Sequence, residues 1–332
     1  MNRRDAVMMV LALCASALTI PPKAFAQQQR ADIPRIGWLD GGSSSRTEPW
    51  RAAFRESLYG MGYVVGRNVV IEHPREDGQL DRMPAVLAEL IRGKVDVIVV
   101  WGTVGAVVAN KATQSVPVVF LSVGAPVEIG LVKSLARPGG NMTGVTFEAA
   151  SETYGKRLQL LKEIAPRLSR VAVLQAAGDA NVAFAMTSLE RAAPSLGIRL
   201  DPVEVRSADE LESAFGVMNK NGAQALVVIA GSFTFRNGNR IADLARAHRL
   251  PSIHGFKETV ESGGLISLGP DFIEMARRGA ALVDLILKGT KPGDIPVEQP
   301  TRYELHINLK TAKAIGITIP QSIVLRADRV IE

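Results

Sequence analysis

The chain predicts an α/β protein made of two doubly wound, Rossmann-like domains, and three observations carry this. Apolar β-branched runs recur at 69–71, 95–100, 117–121, 170–174, 224–230 and 251–253, with amphipathic helical patterns between them. That rhythm is the mark of parallel sheets covered by helices on both faces. The plan also repeats. Arg35-Ile36-Gly37-Trp38 and Arg170-Val171-Ala172-Val173 open two halves 135 residues apart, and Gly62-Tyr63 and Gly197-Ile198 close the first helix of each at the same offset. Pro117 and Pro251 lead a later strand in each half, 134 residues apart. Between the halves, Pro138, Gly139 and Gly140 punctuate residues 136–148, which suits a crossover.

The elements follow in order. Residues 1–26 read as a secretory signal: Arg3 and Arg4 are basic, Ala6 to Ile20 are apolar, and Ala24-Phe25-Ala26 is a cleavage site. The apolar stretch is too short for an ordinary membrane span. The expectation is an exported, periplasmic chain beginning near Gln27. The paired arginines suggest twin-arginine export, although the residues after them fit that signal poorly. Cys14 is the sole cysteine, and Leu13 before it is too large for a lipid-anchor site. The processed chain then has no disulfide, thiol chemistry or cysteine metal site. Losing Arg3, Arg4, Lys23 and Asp5 lowers the net charge from +6 to +4. The remaining charges are interspersed, which argues against nucleic-acid binding.

After Arg35 to Leu39 comes a loop of small residues, Asp40 to Ser45. A helix is expected over 47–61, with Thr47 as N-cap, Pro49 in the first turn, and Trp50, Phe54, Leu58 and Met61 on one face. A second is expected over 80–91, where Leu80, Met83, Leu87, Leu90 and Ile91 share a face. Near the end, Phe272, Met275, Ala276, Gly279 and Leu282 form one stripe, stopped by Gly289 and Pro292.

Ligands of open α/β sheets bind beyond the carboxyl ends of the strands. That rule selects loops at Asp40–Ser45, Trp101–Thr103 and Ser122–Pro126 on one side. It selects Gln175–Gly178, Gly231–Thr234 and Gly255–Lys257 on the other. The candidate ligand-binding residues are Asp40, Gly42, Ser43, Ser44, Trp101, Gly102, Thr103, Ser122, Val123, Gln175, Gly231, Ser232 and Phe256. Amides and hydroxyls here suit a carboxylate or other small polar group, while Trp101 and Phe256 supply an apolar wall. As a set these loops point to a site; singly, small residues also make turns and aromatics also pack.

Enzymatic readings find little support. There is no G-x-G-x-x-G, no P-loop and no G-x-S-x-G elbow, so no cofactor is expected. His73, His248, His254 and His306 show no metal-pair spacing. His254, beside a candidate loop, is the histidine to test. Glu72, Glu76 and Asp77 with Arg75 read as a solvated turn. Asn141-Met142-Thr143 matches a glycosylation sequon, which carries little weight beside a bacterial-type export signal.

Three stretches resemble a known family. They are "RIGWLDGG" (35–42), "SVGAPVEIGLVKSLARPGGNMTGVT" (122–146) and the end of the chain, including "INLKTAKAIGITIP" (307–320) and "LRAD" (325–328). They look like bacterial ABC-transporter substrate-binding proteins of the tryptophan-binding-like group. The resemblance covers essentially everything after the signal. It implies a type I periplasmic-binding-protein fold, two domains joined by a three-segment hinge. The first domain would be 33–145 plus 268–290 and the second 146–267 plus 291–332. The family often carries an aromatic residue in its "GGL-x-S-x-G" turn, where this chain has Leu268, which therefore joins the candidates. The implied function is capture of a small molecule, such as an amino acid or similar small carboxylate, by hinge closure. The implied partner is a membrane permease with its ATPase, and the implied state a monomer. Two rival readings are a periplasmic sensor docking on a receptor and an exported α/β enzyme.

Overall fold

The computed structural model describes residues 33–40, 44–74, 82–148 and 152–332. The predicted signal, with Cys14, lies outside the described residues, as do Gly42, Ser43, Arg75, Glu76, Asp77 and Leu80.

The first sheet is wholly parallel. It holds β1 (Arg35–Leu39), β2 (Val70–Glu72), β3 (Val97–Trp101), β4 (Val118–Val123) and β5 (Met142–Thr146), in the order β2-β1-β3-β4-β5. β3 reads Val-Ile-Val-Val-Trp and is buried at every position, as expected of a strand covered on both faces. Alternate side chains feed two cores. Val97, Val99 and Trp101 pack with α1 (Ser44–Gly60) and α10 (Phe272–Leu287). Ile98 and Val100 pack with α2 (Met83–Arg92) and α3 (Gly102–Ala112).

α1 begins at Ser44, one turn before the expected start. Thr47 is therefore a fully buried helical residue and not the N-cap, and Pro49 stands inside the helix. The expected stripe is nevertheless the buried one, with Trp50, Phe54 and Leu58 in the core and Met61 against it. Burying such side chains stabilises by roughly 1.5–3 kcal/mol each.

The second sheet has seven strands. β6 (Arg170–Ala176), β7 (Arg199–Val205), β8 (Ala225–Val228) and β9 (Ser252–His254) repeat the arrangement of the first four. They are followed by β10 (Ile266–Pro270), β11 (Tyr303–Asn308) and β12 (Arg329–Ile331), and the order is β12-β11-β10-β9-β8-β6-β7. The repeat seen in the sequence is thus a repeat of topology, β2-β1-β3-β4 matched by β7-β6-β8-β9. Gly62 (φ 93) and Gly197 (φ 62) end the first helix of each half in the left-handed region, which explains the paired glycines. β6 splits its side chains as β3 does. Val171 and Val173 face α4 (Thr153–Ile164) and α5 (Asn181–Leu196). Ala172 and Leu174 face α6 (Leu211–Lys220) and α8 (Gly238–Ala247).

The chain passes between the sheets three times. After β5 it reaches α4. Strand pairing keeps β10 in the second sheet to Pro270, and Asp271 then caps α10, accepting from the Ile273 N–H at 2.8 Å. The returning segment stays beside β5: Thr143 Oγ1 donates to the Ile295 carbonyl at 2.8 Å, and the Glu298 N–H donates to Gly144 O at 2.8 Å. It enters the second sheet at Tyr303, whose residue pairs with Pro270.

Arg157 lies where these passages meet. It is 0% exposed and pairs at 3.1 Å with Glu148, which follows β5 and is itself buried. Its Nε donates to the Leu268 carbonyl on β10 at 2.9 Å, and its guanidinium stacks over Phe147 and Tyr154. The Tyr303 hydroxyl donates to the Phe147 carbonyl at 3.1 Å. Burial pushes the Glu148 carboxyl above its ordinary value, and Arg157 opposes that shift.

Removing one partner of a buried pair leaves an uncompensated charge, costing about 3–5 kcal/mol. Arg157→Met is expected to lose that much in urea unfolding, and adding Glu148→Gln to recover at least half. In Arg157→Met the Glu148 carboxyl rises further above its unfolded value. Its deficit relative to the parent should therefore be small below about pH 4 and grow as pH rises above the ordinary carboxylate range. A second prediction concerns two glycines. A Cβ on Gly144 would lie 1.9 Å from the Phe120 carbonyl oxygen, whereas one on Gly216 in α6 meets nothing within 4 Å. Gly144→Ala should cost ~2–3 kcal/mol. Gly216→Ala should be neutral or stabilise by up to ~1 kcal/mol.

Candidate functional site

The carboxyl ends of β1, β3 and β4 face those of β8 and β9 and the start of α5 (Asn181–Leu196) across a cleft whose lining is largely aromatic. The first sheet contributes Asp40, Trp101, Gly102, Thr103, Ser122 and Gly124. The second contributes Ala230, Gly231, Ser232 and Phe256, with Asn181 from the start of α5. Trp50 of α1, Phe147 of the first passage, and Phe235 and Arg236 of α7 (Ser232–Arg236) complete the wall.

Aromatic rings form most of that wall and touch across the cleft. Trp50 stacks on Trp101 with centroids 4.4 Å apart, and meets Phe235 of the other side at 5.1 Å. Phe235 meets Phe256 edge-on at 5.1 Å, and Phe256 meets Phe147 at 5.7 Å. Polar contacts also span the cleft. Arg46 lies 5.2 Å over the Phe235 ring, donates to the Phe235 carbonyl, and donates to Asn239 Oδ1 at 3.3 Å. The Trp50 indole donates to Glu258 on α9 (Lys257–Glu261), whose carboxyl burial pushes up to about 6.

Asp40 carries a buried carboxylate held by its own side of the cleft. It accepts from Trp38 Nε1 at 2.9 Å and from Arg51 Nη1 at 2.8 Å. Its charge is offset before any ligand arrives. Gly102 (φ 84) and Ser122 (φ 60) adopt left-handed backbone at the ends of β3 and β4. For Ser122 that is a strained choice, of the kind concentrated at ligand sites. α3 starts at Gly102 without a side-chain cap, so its first amides and the positive end of its dipole open toward the cavity. Thr103 Oγ1 accepts from the Gly124 N–H at 3.2 Å and fixes that loop.

Of the residues expected from sequence, the structure brings together Asp40, Trp101, Gly102, Thr103, Ser122, Gly231, Ser232 and Phe256. Ser44 opens α1. Val123 lies instead in the core with α2 and α3, because the strand continues through it. Gln175 is still within β6 and stays off the wall. Leu268 packs against the core of the second sheet and contributes its carbonyl to Arg157. His254 is 2% exposed and shares a hydrogen bond with Ser252 at 2.9 Å. Burial, then the nearby charge of Arg157, pushes it down to about 3, so it stays neutral and outside the cavity.

Phe147, Asn181, Ala230, Phe235 and Arg236 were not singled out from sequence, Gly124 entered only as part of the loop Ser122–Pro126, and Trp50 only as a residue of the helical stripe. Trp50 has the spacing of a core residue and belongs to the core as well as to the cavity. Asn181 offered a usable signal, being a polar residue opening a helix just past the "AAGD" loop.

Among the described residues no helix is long and apolar enough to cross a membrane, and no cluster of His, Cys, Asp or Glu has metal-site form.

The comparisons agree with this architecture. The model of a family described as ABC transporter substrate binding protein matches residues 45–331. The tyrosine-binding protein of Clostridioides difficile (strain R20291) is 26% identical over 267 residues, covering 80% of this chain and 76% of the relative. A conserved domain protein from Vibrio cholerae superposes with a TM-score of 0.84 at 25% identity, over 90% of this chain and 99% of that one. The ABC domain of Streptococcus pneumoniae in complex with L-Trp gives a TM-score of 0.83 at 25% identity, with the same coverage. The fold is that of the type I periplasmic binding proteins, and the matched family is one of substrate-binding proteins. Matched along most of its length, the chain belongs to the ABC transporter substrate-binding proteins.

Proposed function

We propose that this chain is the extracytoplasmic solute receptor of an ABC importer, and that it closes over an amino acid with an aromatic or large apolar side chain. The observation that carries this reading is the aromatic cavity whose walls come from both sheets. Such a cavity is complete only when the two sides meet, so a ligand filling it favours the closed arrangement. The tyrosine-binding relative and the L-Trp complex support an aromatic solute.

In this reading the ligand's ring enters between Trp50 and Trp101 on one side and Phe235 and Phe256 on the other, parting the ring contacts that cross the cleft. Its carboxylate meets the first amides of α3 at Gly102 and Thr103 and the Ser122 hydroxyl, with Arg236 adding positive charge. The moving bodies are those expected from sequence, 33–145 with 268–290 and 146–267 with 291–332. The pairing of β10 with β11 supports putting the later passages at Pro270–Asp271 and at 299–302. Residues 1–26 direct export to the periplasm. The closed receptor, a monomer, then delivers its cargo to a permease with its ATPase.

Calorimetry of the chain from Gln27 against L-tryptophan, L-tyrosine, L-phenylalanine and L-leucine tests the reading. At least one should bind with a negative heat-capacity change. Phe235→Ala should weaken that binding roughly 10- to 100-fold, the usual loss for a buried aromatic anchor. Absence of heat from all four would contradict the proposal.

A further inference from the structure

Asn181 opens α5 at the edge of the cavity and is 2% exposed. Its amide orientation is fixed by its neighbours. Nδ2 donates to the Ala230 carbonyl at 2.9 Å, and a carbonyl only accepts, so the nitrogen must face it. Nδ2 also reaches the Tyr154 hydroxyl at 3.3 Å, and that hydroxyl accepts from the Ala230 N–H at 3.1 Å. The amide oxygen therefore points the other way. It is buried, and no donor among the described residues reaches it.

The opposite wall is shaped to that oxygen. A Cβ on Gly124 would fall 2.1 Å from Asn181 Oδ1, so only glycine admits the oxygen there. The Gly124 N–H is already engaged by Thr103. An acceptor held rigidly at a cavity wall and left without a donor is costly, unless the ligand supplies one. Two residues earlier, Asp179 accepts from the Asn181 N–H at 3.0 Å and adds negative charge to the same corner. Burial pushes the Asp179 carboxyl upward, an effect a nearby cation would oppose.

We infer that Asn181 Oδ1 reads the ligand's α-amino group, so the receptor selects amino acids over otherwise identical acids lacking the amine. This rests on the reading of the cavity as an amino-acid site, and it adds a requirement that aromatic walls and a carboxylate position do not impose.

The test compares matched pairs by calorimetry: L-tryptophan with indole-3-propionate, L-tyrosine with 3-(4-hydroxyphenyl)propionate, and L-phenylalanine with 3-phenylpropionate. For whichever amino acid binds, the desamino partner should bind about 100-fold more weakly, because a site built around a hydrogen bond rejects analogues lacking it. Asn181→Leu, which keeps the volume and removes the acceptor, should bring the ratio to within about threefold. Gly124→Ala, which displaces the oxygen without altering Asn181, should also reduce it, and serves if the first variant does not fold. Equal binding of the wild-type pair would overturn the inference while leaving the amino-acid reading intact. An undiminished ratio in both variants would overturn the role of Asn181. Failure of every amino acid to bind would overturn the reading beneath it, and the inference with it.

Discussion

A buried ion pair at the crossing point governs how the two sheets relate. Arg157 and Glu148 are both removed from water, and each is tolerable there only because of the other. Through Arg157 the start of α4, the end of β5 and the Leu268 carbonyl on β10 converge, with Tyr303 at the start of β11 bonded to the same stretch. These residues come from all three passages between the sheets. The pair therefore ties the three passages together beneath the aromatic cleft.

The cavity is built on that pair. Phe147 stacks with Arg157 on one side and meets Phe256 on the other, so the cleft lining is continuous with the crossing point of the three passages. The upper contacts differ in kind. Arg46 on the Phe235 ring, and the Trp50 indole on Glu258, join side chains from opposite bodies with few intervening atoms. In the proposed reading, a ligand bridging both sets of contacts would favour the arrangement in which they meet.

Much of this was legible in the sequence because periodicity reports local burial. The strand runs, the stripe of α1 and the 135-residue repeat all follow from side chains alternating between two apolar faces. The site loops were legible because ligands of such sheets sit at strand ends, which placed Trp101–Thr103, Ser122 and Gly231–Ser232 together. The errors arose where local pattern is silent about distance. Val123 and Gln175 follow the loop rule by position, yet their strands run on and carry them away from the wall. Trp50 and Phe235 look like core residues because each is one, and only the meeting of two bodies makes them cavity residues too. Thr47 had the chemistry of a cap, and the helix began a turn earlier. The burial of Arg157 had no sequence signature, since nothing near it in the chain announces Leu268 as its partner.

If ligand brings the two sides of the cleft together in the way proposed above, the separation across it changes on binding. In a chain begun at Gln27, which leaves out Cys14, spin labels at Glu128→Cys and Ala183→Cys would stand alone on opposite sides of the cleft. Pulsed electron–electron double resonance, with and without a binding amino acid, reads their separation. The account predicts a broad distribution without ligand that shortens and narrows when ligand is bound. An unchanged distribution at saturating ligand would contradict it.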